Sequence, residues 1–359
     1  MLFTCEQVSG GHPDKICDQI SDAIVTDCLK HDRNSRVAVE CMIKGYNITV
    51  AGEITSKHTP DCDGLARDVL SKYVQEEELP KYSISVNLTC QSADIARGIE
   101  KDGWDGELGA GDQGMVFGYA TSETPEMLPL PYVLACAALE RLRDAKIPFL
   151  LADAKCQVTF DYEKHRIDTF LISTQHTADA AFEQVYKAVS AVMKETARSY
   201  GLNTDFKALV NPTGRFVIGG SFADTGVTGR KIVADTYGGA CRHGGGAFSG
   251  KDPTKMDRSA AYMARKAAKE IIRLGVADKV EVQLAYAIGL ADPVSISVEC
   301  YGTSRVPESF IIHWIQKKFN LTPEGIIKDL GLLDIDYTQV STGGHFRCAE
   351  MPWEKLNIN

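Results

Sequence analysis

The segment Gly10-Gly11-His12-Pro13-Asp14-Lys15 sets an imidazole, a carboxylate and an ammonium side by side. Pro13 suits a first helical turn, and Asp14 favours the positive end of a helix, so the plain reading is a well-capped helix start. The functional reading is that His12 and Lys15 face a phosphate while Asp14 binds its magnesium. Magnesium commonly takes one or two carboxylates plus phosphate oxygens. A second segment, Gly244–Lys255, carries Gly244, Gly245, Gly246 and Gly250 with Lys251 and Lys255. Glycines let backbone N–H groups approach an anion closely, and lysines supply charge, which together make a phosphate cradle. A flexible loop with solvated lysines is the alternative. Taken together, the two segments point to the triphosphate of ATP with magnesium.

Two familiar patterns fail on inspection. Gly109-Ala110-Gly111-Asp112-Gln113-Gly114 fits Gly-x-Gly-x-x-Gly, but polar Glu100–Glu107 precedes it and strand-like Met115–Tyr119 follows. A dinucleotide site needs a strand before and a helix after, so a tight functional loop or a plain turn fits better. Gly245–Lys251 begins like a P-loop, yet the magnesium-binding Ser or Thr is replaced by Asp252. Pro253 would interrupt the helix that should start there.

Other residues add charge. Glu40 and Glu53 lie on the polar faces of two alternating runs, Val37–Ile43 and Ile48–Ile54. With a turn at Lys44–Asn47 they share one face as diagonal neighbours, which suits a cation or an amine, or else a solvated sheet face. Thr228-Gly229-Arg230-Lys231 places two cations before an apolar run, Ile232–Ala234, that reads as a strand. Asp224 lies upstream, and Asp153-Ala154-Lys155 opens another strand. With Lys251 these cations give the positive field a triphosphate requires.

The elements that position them repeat. Helical spacing of Ile16, Ile20, Ile24 and Cys28 is followed by the two runs above and a helix near Cys62–Val74. A helix near Tyr132–Ala145, strands Gln157–Tyr162 and Ile167–Thr174, and a helix near Asp179–Tyr200 follow. Asp257 then caps a helix ending before Gly275, ahead of strands near Val280–Ile288 and Val294–Tyr301 and a helix near Glu308–Phe319. Helix, two strands, helix thus recurs three times. This predicts an α/β protein of the α+β type: three related domains in a pseudo-threefold arrangement, each a mostly antiparallel sheet with helices. Hairpins argue against a doubly wound sheet. Junctions fall at Gly98–Gly114 and near Gly214–Gly229. The boundaries are 1–96, a mobile gate or linker at 97–108, 109–222 and 223–359.

Bulk properties narrow the class. With 359 residues and 44% hydrophobic content, two or three cores can form. No apolar run approaches the roughly 18 residues of a membrane span. Met1–Glu6 lacks the basic head of a secretory signal, so the expected compartment is the cytoplasm. The 11 cysteines are odd in number and form no Cys-x-x-Cys pair. Cys28, Cys41, Cys90, Cys136 and Cys156 sit in apolar patterns, where a reduced thiol is a small hydrophobe. A net charge of −9 without a basic run excludes a general nucleic-acid binder.

The chain resembles the methionine adenosyltransferases, or S-adenosylmethionine synthetases. The resemblance rests on Gly11–Lys15, Gly109–Gly114, Gly214–Gly220, Thr228–Lys231, His243–Lys255 and Asp257-Arg258-Ser259, in the family's order along nearly the whole chain. It implies attack of the methionine sulfur on C5′ of ATP, departure of the intact tripolyphosphate, and its hydrolysis to phosphate and pyrophosphate. It implies Mg2+ and K+, three similar domains, and dimers or tetramers with active sites at the dimer interface. Carried over, His12, Lys15, Asp112, Asp153, Ala154, Lys155, Arg215, Phe216, Asp224, Arg230, Lys231, Ala247 and Lys251 would line the ATP site. His12, Lys155, Asp224, Arg230 and Lys251 would be catalytic. Glu53, Gln91, Asp224 and Lys255 would bind methionine. Asp14 and Asp257, with Glu6 as a further candidate, would hold magnesium, and Glu40 potassium. Gln91 to about Glu107 corresponds to the family's gate.

Displacement at carbon needs no enzyme nucleophile, which accords with the absence of a Ser-His-Asp signature. It needs an in-line sulfur and stabilisation of the departing charge. The gate reads Gln91-Ser92-Ala93-Asp94, where the family's third residue is proline, and Gly343–Cys348 departs from the usual pattern. Two other readings remain: a non-catalytic nucleotide-binding subunit, which would lose some of His12, Asp14, Lys155, Lys251 and Asp257, and an ATP-dependent phosphotransferase, which would release ADP.

Overall fold

The computed structural model of the chain describes residues 1–90 and 108–356. Gln91 and the expected gate, apart from Leu108, lie outside the described residues. The first third holds β1 (Leu2–Val8), α1 (Pro13–His31), β2 (Arg36–Lys44), β3 (Asn47–Thr55), α2 (Cys62–Leu70) and β4 (Ser83–Thr89). The middle third holds β5 (Gly114–Thr121), α3 (Leu130–Asp144), β6 (Leu150–Asp161), β7 (Arg166–His176), α4 (Phe182–Ser199) and β8 (Lys207–Val210). The last third begins with α5 (Gly220–Ala223), β9 (Gly226–Val227), α6 (Ile232–Asp235) and α7 (Met256–Arg273). It continues with β10 (Lys279–Tyr286), β11 (Ser295–Glu299), α8 (Glu308–Lys318) and α9 (Pro323–Asp329).

The helix–hairpin–helix unit appears in each third, as α1-β2-β3-α2, α3-β6-β7-α4 and α7-β10-β11-α8. Three sheets result, ordered β4-β3-β2-β9, β1-β6-β7-β8 and β11-β10-β5. Antiparallel pairing dominates, and among the strands of the described residues only β3·β4 and β7·β8 run parallel. The chain is therefore an α+β protein of three domains. Each sheet borrows a strand from another third: β1 pairs with β6, β5 with β10, and β9 with β2. In every case the visitor pairs with the first strand of the hairpin, so the exchange is cyclic.

Local sequence explains the elements nearest the site. Pro13 takes the first helical turn of α1, the His12 side chain accepts the Asp14 N–H at the cap, and Lys30 and His31 occupy the last turn. Val37, Val39, Cys41 and Ile43 of β2, with Ile48 and Val50 of β3, are buried on one face, against α1. Their alternates Ala38, Glu40, Met42 and Glu53 form the outer face. Glu40 stands opposite Ala51, and Glu53 opposite Ala38, so the two acids are diagonal neighbours.

The apolar residues form two buried clusters among the described residues. One joins the first and last thirds, and the other fills the middle third around α3, β6, β7 and α4. Three local expectations are corrected. Ile232–Ala234 is helical, since Asp235 N–H bonds the Lys231 carbonyl and the Ala234 carbonyl is taken by Gln7 and Tyr132. A short apolar run does not distinguish strand from helix. Asp257 sits inside the first turn of α7, and Lys255 occupies the cap position. Cys28, Cys41, Cys136 and Cys156 are buried thiols, but Cys90, just past the end of β4, is exposed. The unusual C-terminal stretch is part of the interior: Phe346 stacks on Tyr237, and the Trp353 indole donates to the His345 carbonyl at 2.9 Å. No helix among the described residues is long and apolar enough to cross a membrane.

Candidate active site

Most of the expected ionisable residues line one of two separate cavities. The first, about 370 Å³, is lined by His12, Asp14, Lys155, Asp224, Thr225, Arg230 and Lys231. The start of α1 supplies two of these, β6 supplies Lys155, and the short elements α5, β9 and α6 frame the rest. Asp14 accepts the Val227 N–H at 2.9 Å and the Lys231 ammonium at 2.5 Å. Burial opposes its ionisation, but Lys231 and that N–H outweigh the penalty and hold its pKa below the usual carboxylate value. The His12 Nδ1 accepts the Asp14 N–H at 3.2 Å. Burial first, then Lys231 and Lys155, depress its pKa to about 4. His12 is thus a neutral imidazole at neutral pH, and with Nδ1 accepting, its proton lies on Nε2. Lys155 has no ion-pair or hydrogen-bond partner among the described residues.

Asp153 lies beside this cluster, 5% exposed. Its Oδ2 accepts the Gly220 N–H at 2.8 Å, while its buried Oδ1 has no partner among the described residues. Burial raises its pKa. An orphaned buried carboxylate oxygen invites a ligand donor. Glu6 faces the same side of the middle sheet as Lys155, one pair further along β1.

The second cavity, about 420 Å³, opens on the outer face of the first sheet. Its lining includes Arg36, Ala38, Glu53, Asp112, Lys251, Lys255 and Asp257. Here both lysines already have carboxylate partners, Lys251 with Asp257 and Lys255 with Asp252, each at 2.5 Å. Asp252 does not replace a metal-binding hydroxyl. It is fully buried and accepts from Val37 N–H, Thr254 and Lys255. The glycines are not a free cradle either. Gly250 has φ +83° and packs on the Val39 carbonyl, and a Cβ on Gly246 would lie 2.1 Å from the Asp257 carboxyl carbon. They let the segment lie along β2, where Ala38 and Lys251 form a β-bridge. No described residue lines both cavities.

Several expected contacts do not reach either cavity. Lys15 is 1% exposed and clasped between Asp18 and Asp235, so it is a buried structural charge and not a phosphate ligand. Burial works against its ammonium, but the two acids outweigh that and raise its pKa. Ala154 is also corrected: its side chain is in the middle core, and its N–H and carbonyl are both taken by Ser9. Arg215 is exposed and Phe216 is tied through its backbone to His176, and neither lines either of these two cavities. Ala247 abuts Gly229, whose added Cβ would lie 2.4 Å away. Glu40 stands exposed on the outer sheet face.

Two residues important to this arrangement were not singled out in the sequence. Asp14, Asp18 and Asp22 recur every four residues on α1 and so share one face. Asp18 accepts the Gly229 N–H at 2.8 Å, fixing the backbone that carries Arg230 and Lys231. Asp22 accepts the Gly250 N–H and the Ser249 hydroxyl, each at 3.0 Å, fixing the backbone before Lys251. One helix therefore holds the cation-bearing loops of both cavities. The four-residue spacing was the available signal.

The sequence as a whole has close relatives. The model of the S-adenosylmethionine synthetase N-terminal domain matches residues 1–95, that of the central domain 107–216, and that of the C-terminal domain 218–355. Curated proteins named S-adenosylmethionine synthase are similar over nearly the full length. The one from Mesoplasma florum is 46% identical, covering 99% of this chain and 97% of the relative. That from Clostridium tetani is also 46% identical, with the same coverage. That from Leifsonia xyli is 44% identical over 99% of this chain and 96% of the relative.

Proposed function

This chain belongs to the S-adenosylmethionine synthetase family and is an enzyme that makes S-adenosylmethionine from ATP and methionine; from that premise we propose how its residues do so. The observation that carries the proposal is the division of the charged groups between two cavities with no described residue in common. A complete site then forms when the first cavity of one chain faces the second cavity of another copy. A twofold pair makes two such sites. The exposed outer sheet face, where Met42 is 46% exposed, suits that association.

In this reading the first cavity receives the triphosphate on Lys155, Arg230 and Lys231. Asp153 accepts a hydroxyl of the nucleoside through its orphaned oxygen, and Arg215, Phe216 and Ala247 border the nucleotide. Glu53, Lys255, Gln91 and Asp224 orient methionine, with Asp112 and Lys251 closing over the phosphates. The sulfur lone pair forms a bond to C5′ as the C5′–O bond breaks, and that electron pair leaves with the tripolyphosphate. The neutral His12 donates its Nε2–H toward the departing oxygen. The cations stabilise charge that grows on that oxygen as the bond breaks, so they lower the barrier more than they tighten ground-state binding. The same groups then hold the tripolyphosphate for hydrolysis to phosphate and pyrophosphate.

The carboxylates suit a magnesium ion. Asp14 and Asp257 offer hard oxygen donors, one in each cavity, and both now neutralise lysines that a phosphate would draw away. They would hold the ion, with Glu6 as a further candidate ligand, and the ion would supply charge neutralisation on the phosphate oxygens. Glu40 offers a single carboxylate for potassium.

Co-expression of two differently tagged inactive chains tests the shared site. A His12→Ala chain has a defective first cavity, and a Lys251→Met chain a defective second. The purified mixed pair should regain one working site of two, roughly half the wild-type rate per pair. A mixed pair as inactive as either parent would refute sharing.

A further inference from the structure

The far end of α1 carries a side-chain cluster that the reaction does not use. Asp27 and His31 are one turn apart there, and His58 arrives from the segment after β3. The His58 Nε2 lies 2.7 Å from one Asp27 oxygen, and the His31 Nδ1 3.4 Å from the other. The two imidazoles stack with centroids 4.1 Å apart. One donor atom from each residue lies within 4.8 Å of the other two. We propose that Asp27, His31 and His58 form a binding site for a borderline divalent transition cation of the zinc type, separate from the magnesium chemistry.

Donor chemistry supports that class. Two imidazoles with one carboxylate suit zinc, nickel or copper, whereas magnesium takes oxygen ligands. A three-ligand set leaves a position for water. The segments are already fixed relative to each other, so little ordering is needed. Asp32, capping α1, accepts the Lys57 N–H at 2.9 Å, and the Ser35 and Ser56 hydroxyls meet at 2.8 Å. The Ser56 hydroxyl also accepts the His58 N–H at 3.0 Å, which positions the ring's own backbone. A cation here sits at the negative end of α1, where the helix dipole favours it. Metal–ligand bonds of about 2.0–2.2 Å require the donors to draw closer than they stand. His31, 48% exposed and held by one bond to the Asp27 carbonyl, can turn inward to do so. Thirteen residues separate Asp14 from Asp27, about 20 Å along the helix, so the two cation sites do not overlap.

The test uses the full chain, stripped with chelator and titrated calorimetrically with zinc chloride in excess magnesium. One equivalent should bind, and the melting temperature should rise. Asp27→Asn and the His31→Ala/His58→Ala double variant should each weaken binding about tenfold or more and abolish the rise. Both should keep S-adenosylmethionine synthesis and their metal-free melting temperature, which separates ligand loss from misfolding. Cobalt substitution should give visible d–d bands without thiolate charge transfer. Wild-type binding in the double variant, or a thiolate band that places the ion on a cysteine, would overturn the proposal, as would no zinc binding at all.

Discussion

The two cavities contain the same kinds of groups and prepare them differently. In the first, Lys231 is paired with Asp14 at 2.5 Å, but the Lys155 ammonium is without a partner among the described residues, and Arg230 stands 3.9 Å from Asp14 and donates to the Thr225 carbonyl at 3.3 Å. In the second, Lys251 and Lys255 are each bound to an aspartate in their own chain. The first therefore keeps part of its charge, on Lys155 and Arg230, ready for an anion. In the proposed reaction the second would exchange a carboxylate for a phosphate, so its lysines would be reserved until substrate or a cation displaces the aspartate. A free cation gives affinity and stabilisation at once, while a paired one gives up part of its energy to break the pair.

Substitutions can break this contrast. The largest effect should come from Lys155→Met. Removing a charged donor to a developing oxyanion costs about 100- to 1,000-fold in kcat. Because no described partner depends on Lys155, the melting temperature should hold, and a calorimetric scan beside the steady-state assay checks both. Lys251→Met should cost less, about 10- to 100-fold, since the wild-type lysine must first leave Asp257. Undiminished synthesis by this variant would remove the second cavity from the mechanism. Asp18→Asn sharpens the comparison from below. It keeps an acceptor for Gly229 but halves the charge around Lys15, so it should lower kcat/KM by roughly tenfold, with a loss of stability. Lys15→Met, by contrast, should cost about 3–5 kcal/mol of stability without a selective rise in the KM for ATP. Denaturant titration paired with kinetics separates the two.

The smallest effect concerns pH. The folded-state pKa of His12 is depressed to about 4, below the unfolded value near 6.5. Lowering pH through that window protonates the unfolded chain first, so the contribution of His12 to stability is present above 6.5 and is lost as pH falls towards 4. Its imidazole signal in NMR should therefore stay neutral at pH 6 in the ligand-free protein. A midpoint near 6.5 would deny it the role of neutral donor.

Much of this was legible in the residues. The three helix–hairpin–helix units follow from local periodicities, and the diagonal placement of Glu40 and Glu53 follows from period two and a turn at Gly45. What could not be read was non-local. Lys15 reads as an exposed helix-start cation because its second acid, Asp235, lies 220 residues away. The glycines near Lys251 read as a phosphate cradle because nothing local shows that β2 and Asp257 press against them. The strand exchange was invisible for the same reason: β1, β5 and β9 each pair outside their own third.

That exchange constrains how the chain can be made. As the polypeptide emerges from the ribosome, β1 waits for β6, and the first sheet keeps an open edge until β9 has been synthesised. The middle sheet can be completed once β8 is made, but the first sheet cannot be finished within its own third. Its completion is deferred to the last third, and a nascent chain halted before Gly226 would display the unpaired edge of β2 to chaperones and to its neighbours.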